Sequence, residues 1–205
     1  MKVVATNTGE KRTVSWGFKK VTTGIFKFPT SEGIFLGIED VVGDSVVDRK
    51  YHGGIDKACY AYSADQYSFW NPQFPDLEWD HGMFGENLTI KGLNEKELYI
   101  GDTFKVGDAV IQVSEPRQPC FKLNVRFNSK RMVKAFTKHG YCGSYFRVLE
   151  QGNIKPGDTL ELIEAGEPRI SVFEVFQLIY SKGNKELREI AKTHSKLAET
   201  TKAAL

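Results

Sequence analysis

Residues 99–113 read YIGDTFKVGDAVIQV, and this stretch contains the clearest hairpin signal in the chain. Two runs rich in β-branched and aromatic residues, 103–106 and 109–114, flank the pair Gly107-Asp108. Glycine adopts positive φ at little cost and aspartate favours turns, so this pair predicts a tight connection between two strands. The stretch therefore predicts an antiparallel hairpin.

Short runs of the same kind recur along most of the chain and predict further strands. These are residues 2–7, 20–25, 57–62, 87–90, 143–149 and 159–163. Two helices interrupt them, one beginning near Ser63 and stopping at Pro72, the other running from about Ser129 to His139 before Gly140. Many short strands separated by turns predict a mainly β fold, a barrel or a sandwich.

The composition changes after Ala165, and the rest of the chain is predicted to be helical. An apolar face repeats at helical spacing through Val172, Val175, Phe176 and Ile179. Gly183 is predicted to end this first helix and Asn184 to cap a second, and a third is predicted from Ser195 onward. We therefore predict a β domain over residues 1–165 and a helical extension over 166–205.

Composition and charge exclude several classes of protein. The 205 residues have 40% hydrophobic side chains and a net charge of only +2, which does not indicate binding to nucleic acid or to a membrane surface. There is no apolar run of about 18 residues and no signal-peptide pattern, so a cytoplasmic location is expected. Three irregularly spaced cysteines do not suggest a disulfide framework, and neither CxxC nor HExxH is present.

Residues 114–124 read SEPRQPCFKLN and place Cys120 among prolines and basic residues. Nearby Arg117, Lys122 and Arg126 are expected to favour the thiolate, which is the nucleophilic and metal-binding form of cysteine. The prolines predict a strand end and a rigid loop that presents the thiol. The alternative is a packed cysteine with unrelated surface charges. By contrast, Cys59 and Cys142 are predicted to be structural.

A second segment, DRKYHGGIDKA at residues 48–58, combines basic side chains with a glycine pair. The basic residues are Arg49, Lys50, His52 and Lys57. Gly53 and Gly54 would let backbone N–H groups approach an anion such as a phosphate, although no P-loop pattern is present. A turn with solvated charges is the alternative.

The remaining polar candidates carry less information. In FGENLTIKGL, residues 84–93, Asn87 could orient a polar ligand, although from this segment alone a turn before a strand is the favoured interpretation. His194, in the helical extension, is predicted to be solvated.

Taken in order, these motifs resemble the MOSC domain, named for the molybdenum cofactor sulfurase C-terminal region. The motifs are DRKYHGGIDKACYAY, FGENLTIKGL, YIGDTFKVGDAVIQVSEPRQPCFKLN and GDTLELIE. The segment after residue 166 looks like the three-helix extension of the bacterial YiiM-like subgroup, the 6-N-hydroxylaminopurine-resistance reductase type. The resemblance covers roughly residues 30–205. It implies a MOSC-type β-barrel with a few helices, and it leaves the first 30 residues without an assignment.

The resemblance also implies a cofactor and a set of site residues. It implies the molybdenum cofactor (molybdopterin), with Cys120 as the molybdenum ligand and with Arg117 and Lys122 as catalytic charges beside it. Residues implied to bind the cofactor are Arg49, His52, Gly53, Gly54, Lys57, Asn87 and Arg117. No pyridoxal-phosphate lysine is assigned, because the family's sulfurase members carry that cofactor on a separate fused domain.

The implied activity is reduction of small N-hydroxylated substrates to amines. Electrons are expected from an external flavoprotein or ferredoxin-like donor, because the chain has neither a GxGxxG fingerprint nor iron–sulfur spacing. A monomer or a homodimer is expected. Two alternatives stay open: a module that carries the cofactor, or sulfur as a Cys120 persulfide, and an interaction protein whose barrel has lost its chemistry.

Overall fold

A computed structural model describes residues 1–181 and 184–205. The predicted break at Gly183 and the prediction for the side chain of Lys50 lie outside what it describes. The strands are β1 Lys2–Thr8, β2 Arg12–Trp16, β3 Lys19–Thr23, β4 Phe28–Pro29, β5 Ile34–Leu36, β6 Cys59–Ser63, β7 Leu88–Lys91, β8 Thr103–Val106, β9 Ala109–Pro116, β10 Ser144–Glu150, β11 Gly152–Ile154 and β12 Glu161–Glu164. The helices are α1 Arg49–His52, α2 Tyr67–Trp70, α3 Phe121–Arg126, α4 Met132–His139, α5 Val172–Tyr180, α6 Lys185–Thr193 and α7 Glu199–Lys202.

An eight-stranded sheet in the order β12-β8-β9-β10-β6-β7-β1-β4 forms the centre of the fold. Its pairs are antiparallel apart from the parallel pair of β6 and β7. The sheet curls so that its two ends approach each other. Val3 N–H donates to the Asp158 carbonyl at 2.9 Å, and Gly157 N–H donates to the Val3 carbonyl at 2.8 Å. These bonds join β1 to the segment just before β12. The predicted mainly β, MOSC-type barrel with a few helices is therefore confirmed.

The hairpin predicted from residues 99–113 is present as β8 and β9. Val106 pairs with Ala109, and Gly107 occupies the turn at a φ of 55°. Every residue of β9 is buried, so this strand lies in the middle of the core and ends at Pro116. The strand predicted from residue 57 begins later, at β6, because residues 55–57 form a 3₁₀ turn.

Aromatic side chains fill the core between the sheet and the helices. Trp70, Tyr62, Phe84 and Phe136 are each less than 2% exposed, and the Trp70 indole N–H donates to the Tyr62 hydroxyl at 2.9 Å. The helix predicted after Ser63 is a short α2 between two 3₁₀ turns, residues 64–66 and 71–73. The second predicted helix is α4, and it ends at Gly140 in the left-handed conformation as expected.

The C-terminal extension packs on the barrel through the same hydrophobic core. Helix α5 starts with a capping box between Ser171 and Glu174, and Asn184 caps α6 as predicted. The third predicted helix is only α7. The prediction that His194 is solvated is wrong: it is fully buried, with Nε2 3.0 Å from the Pro168 carbonyl. No helix in residues 1–181 or 184–205 is long and apolar enough to cross a membrane.

Candidate functional site

Cys120 lies where two adjoining cavities meet. Strand β9 ends at Pro116, a three-residue loop follows, and Cys120 immediately precedes α3, so the thiol is presented where the chain changes direction. The inner cavity has a volume of about 90 Å³ and the outer cavity about 680 Å³, and Cys120 lines both. Cys120 is partly exposed, whereas Cys59 and Cys142 are fully buried, as predicted for structural cysteines.

The wall of the inner cavity has an excess of positive charge. Its described side chains include four cations and two carboxylates. The cations are Lys27, Lys57, Arg117 and Lys122, and the carboxylates are Asp44 and Asp48. A cavity with surplus cations in a low-dielectric wall is suited to an anionic ligand.

Among the described residues, Arg117 is the buried cation of this wall that has no acidic partner. It is 5% exposed, and its guanidinium lies 5.2 Å from the ring centres of both Tyr60 and Phe136. In the described part of the chain it forms no ion pair, and its buried Nη1 has no hydrogen-bond partner. Because an unpaired buried charge is unfavourable, this arrangement indicates a place for an anion beside Cys120.

Lys122, Lys57 and His52 line both cavities beside Cys120. Lys122 is 3.5 Å from an Asp48 carboxylate oxygen, and the Lys57 ammonium is 3.3 Å from Glu115 Oε1. Burial, helped by the nearby charges of Lys122 and Arg117, lowers the pKa of His52 to about 4. The imidazole is therefore neutral near pH 7, where it provides one donor and one acceptor to a ligand.

Sequence reasoning missed the opposite side of the inner cavity. There Lys27 forms a buried ion pair with Asp44. Asp44 also accepts hydrogen bonds from the Gly9 N–H at 2.9 Å and from the Asn87 amide at 3.0 Å. Asn87, which was predicted to bind the cofactor, lines the inner cavity. Its side-chain amide also bonds to the backbone of Asn7 and Tyr60, so it holds the wall together.

The N-terminal 30 residues form part of this wall. Strands β2 and β3 pair as a hairpin, and the chain after β3 supplies Gly24, Ile25 and Lys27 to the inner cavity. Only glycine fits at position 24, because a Cβ there would lie 1.8 Å from the Ser45 carbonyl oxygen. No motif in this segment signalled the role, which depends on a contact with a distant loop.

Three predicted cofactor-binding residues lie outside these two cavities. Arg49 is half exposed and pairs with Glu39 at 3.0 Å and Asp40 at 2.5 Å, so its charge is already matched on the surface. Gly53 and Gly54 do not line either cavity, and the φ of 94° at Gly54 gives it a turn-forming role.

Protein side chains alone do not assemble a metal site here. Within residues 1–181 and 184–205, no three His, Cys, Asp or Glu side chains are grouped so that they could hold a metal ion. Cys120 is the partly exposed thiol at the cavity junction, and its thiolate sulfur would be a soft ligand for a metal ion.

The comparisons with known proteins agree with this geometry. A family model described as the MOSC domain matches residues 48–161, which contain the loop before β6, the β8–β9 hairpin and Cys120. The chain belongs to the MOSC domain family. The Bacillus subtilis protein YflK is 45% identical over 170 residues, covering 83% of this chain and 76% of that protein.

Two further relatives extend the comparison of this MOSC chain. A Gibberella moniliformis protein named reductase is 40% identical over 167 residues, covering 80% of this chain but only 29% of the fungal protein. The crystal structure of YiiM from Geobacillus stearothermophilus superposes with a TM-score of 0.82 at 31% identity, covering 98% of this chain and 95% of that one. The chain is thus a YiiM-like MOSC protein.

Proposed function

We propose that this MOSC protein is an oxidoreductase that binds the molybdenum cofactor and reduces N-hydroxylated substrates to amines. The observation that carries the proposal is that Cys120 and the buried guanidinium of Arg117, which forms no ion pair with any described residue, line the same cation-rich cavity. The MOSC family is associated with this cofactor, and one relative is named a reductase.

The residues present fit an anionic cofactor whose high-valent metal accepts a thiolate ligand. The orphaned Nη1 of Arg117 provides an unused donor, and Lys57 and Lys122 add positive charge for phosphate or sulfur-rich anions. Cys120 would hold the metal through its thiolate. Lys57, Arg117 and Lys122 would hold the rest of the group, with neutral His52 as an additional hydrogen-bonding partner. When bound, the cofactor supplies two-electron redox chemistry at molybdenum.

The chain's own residues would orient the substrate and stabilise charge. The reaction breaks the N–O bond of an N-hydroxylated substrate with two electrons and two protons, and it yields the amine and water. Arg117 and Lys122 would stabilise negative charge that develops beside Cys120. The electrons would come from an external flavoprotein or ferredoxin-like donor, and the protein would act in the cytoplasm as a monomer or a homodimer.

Molybdenum content tests this proposal directly. Protein produced in a host that synthesises the cofactor should contain close to one molybdenum atom per chain by elemental mass spectrometry. We expect at least a tenfold loss of metal in Cys120→Ser. Arg49→Ala should keep its metal, because Arg49 is paired on the surface outside the cavities. Absence of molybdenum from folded wild-type protein, despite available cofactor, would overturn the proposal.

A second candidate, sulfur carriage, is favoured by the exposure pattern of the cysteines. Cys120 is partly exposed, while Cys59 and Cys142 have no exposed surface, so one thiol could carry a persulfide. Turnover of an N-hydroxylated substrate with reduced methyl viologen would support the reductase. A cyanide-releasable sulfur on Cys120 without such turnover would support the carrier.

A further inference from the structure

The outer cavity has one wall that comes from the C-terminal end of the described chain. Thr200 on α7 and the following Ala203 and Ala204 line it, together with Cys120. The remaining wall includes apolar and aromatic side chains from Tyr51, Pro116, Pro119, Phe121 and Tyr145. Tyr51 and Phe121 are 58% and 54% exposed, so the cavity opens to solvent between aromatic surface and small alanines.

Helix α7 is held in place by contacts with the end of β9, close to Cys120. The Thr201 hydroxyl donates to Glu115 Oε2, and the Thr200 hydroxyl is 3.3 Å from the same oxygen. Ala198 N–H donates to the Ser114 carbonyl at 3.2 Å. Because Glu115 also pairs with Lys57, the cation-rich wall and the C-terminal wall share one buried carboxylate. The alanines therefore lie at a defined position.

We propose that the α7 segment is a wall of the substrate cavity, and that the small side chains of Ala203 and Ala204 set how bulky a substrate can reach Cys120. This proposal rests on the proposed function, in which Cys120 marks the reactive end of the cavity. The apolar portion of the substrate lies between the alanines and the surface formed by Tyr51 and Phe121. Ala203 and Ala204 are thus specificity-determining residues contributed by the helical extension.

Alkylation of Cys120 measures this cavity without any cofactor or turnover. Cys59 and Cys142 are fully buried, so a thiol reagent applied to folded protein reports on Cys120. Iodoacetamide serves as the small reagent and N-(1-pyrenyl)maleimide as the bulky one. The variants are Ala203→Phe and Ala204→Phe, both at exposed positions where a larger side chain is compatible with folding. Ala165→Phe is the matched control, because Ala165 is exposed but lines neither cavity.

We expect at least one of the two variants to slow the bulky reagent tenfold or more, while the iodoacetamide rate stays within twofold of wild type. Ala165→Phe should change neither rate. A bulky-reagent rate within twofold of wild type in both variants would overturn the proposal. Equal slowing of both reagents would also overturn it, because that result indicates a change at the thiol itself.

The cofactor-loaded enzyme provides the matching substrate test. In an affected variant, kcat/KM for benzamidoxime should fall at least fivefold relative to kcat/KM for hydroxylamine, and an unchanged ratio would contradict the proposal. Failure of the proposed function appears separately, as absent molybdenum in the wild type. The alkylation rates do not depend on that result, so the two failures are distinguishable.

Discussion

Lys27 and Arg117 are both buried basic side chains in the wall of the inner cavity, but their surroundings differ. The Lys27 ammonium is paired with Asp44, whose remaining bonds come from Gly9 and Asn87. Arg117 has ring faces on two sides, no ion pair among the described residues and an Nη1 without a partner. The contrast indicates that the Lys27 side holds the barrel together, whereas the Arg117 side is left available for a ligand.

The largest effect on stability should come from breaking the buried ion pair between Lys27 and Asp44. Asp44→Asn leaves the Lys27 ammonium buried without its counter-charge, so we expect a loss of about 3–5 kcal/mol in the free energy of unfolding. Urea unfolding of the cofactor-free protein measures it. The control is Asp40→Asn, which removes a surface partner of Arg49 and should cost no more than about 1 kcal/mol. Similar losses in the free energy of unfolding for Asp44→Asn and Asp40→Asn would contradict the idea that the buried Lys27–Asp44 pair stabilises the fold more than the surface Arg49–Asp40 pair does.

Glu95 adds a third buried charge to the comparison of Lys27 with Arg117: it is a carboxylate with no ion pair among the described residues. Its Oε1 accepts a hydrogen bond from Gly143 N–H at 2.8 Å, and its Oε2 has no partner in the part of the chain that the structure describes. Burial raises the pKa of Glu95 to about 7. Between pH 4.5 and 7 the folded state therefore keeps a proton that the unfolded state releases. The contribution of Glu95 to the free energy of unfolding consequently falls as the pH rises from 4.5 to 7.

Glu95→Gln tests this effect, because glutamine cannot ionise. The free energy of unfolding of the variant minus that of wild type should increase by up to about 3 kcal/mol when the pH is raised from 5 to 8. Urea unfolding at the two pH values measures the change, and the titration of His52 cancels because both proteins contain it. A difference between variant and wild type that does not vary with pH would contradict the prediction.

The smallest effect on stability should come from replacing Arg117. Arg117→Met removes a buried cation that has no ion pair among the described residues and fills its space with an apolar chain. We therefore expect a change of about 1 kcal/mol or less in the free energy of unfolding. Inorganic phosphate should raise the melting temperature of wild type more than that of the variant. A loss in the free energy of unfolding as large as that of Asp44→Asn would show that Arg117 stabilises the fold and is not kept available for a ligand.

Features that depend on neighbouring residues were predictable from the sequence. The β8–β9 hairpin follows from Gly107 between two strand-forming runs, and the cap at Asn184 follows from its position before an amphipathic segment. The placement of Cys120 just beyond a strand end follows from the prolines around it. Helix α3 was missed, because six residues are too few to show a helical period.

Features that depend on contacts between distant segments were not predictable. Arg49 and Lys57 both belong to the basic segment around the glycine pair, yet Arg49 is neutralised on the surface and Lys57 lines both cavities. His194 was expected in solvent, but packing of the helical extension buries it. In each case the surroundings come from residues far away in the chain.

The resemblance to the MOSC domain implied a barrel. The sequence by itself determined the mainly β class, the order of its motifs and the identity of Cys120 as the thiol to consider. These depend on periodicity, turn chemistry and residue type, which act over a few residues. Tertiary structure alone decided that the Lys27–Asp44 pair lines the inner cavity, that Arg117 has no acidic partner within residues 1–181 and 184–205, and that α7 lines the outer cavity. Pairing, burial and cavity shape arise only when distant segments pack together, because the free energy of a buried charge depends on its three-dimensional neighbours.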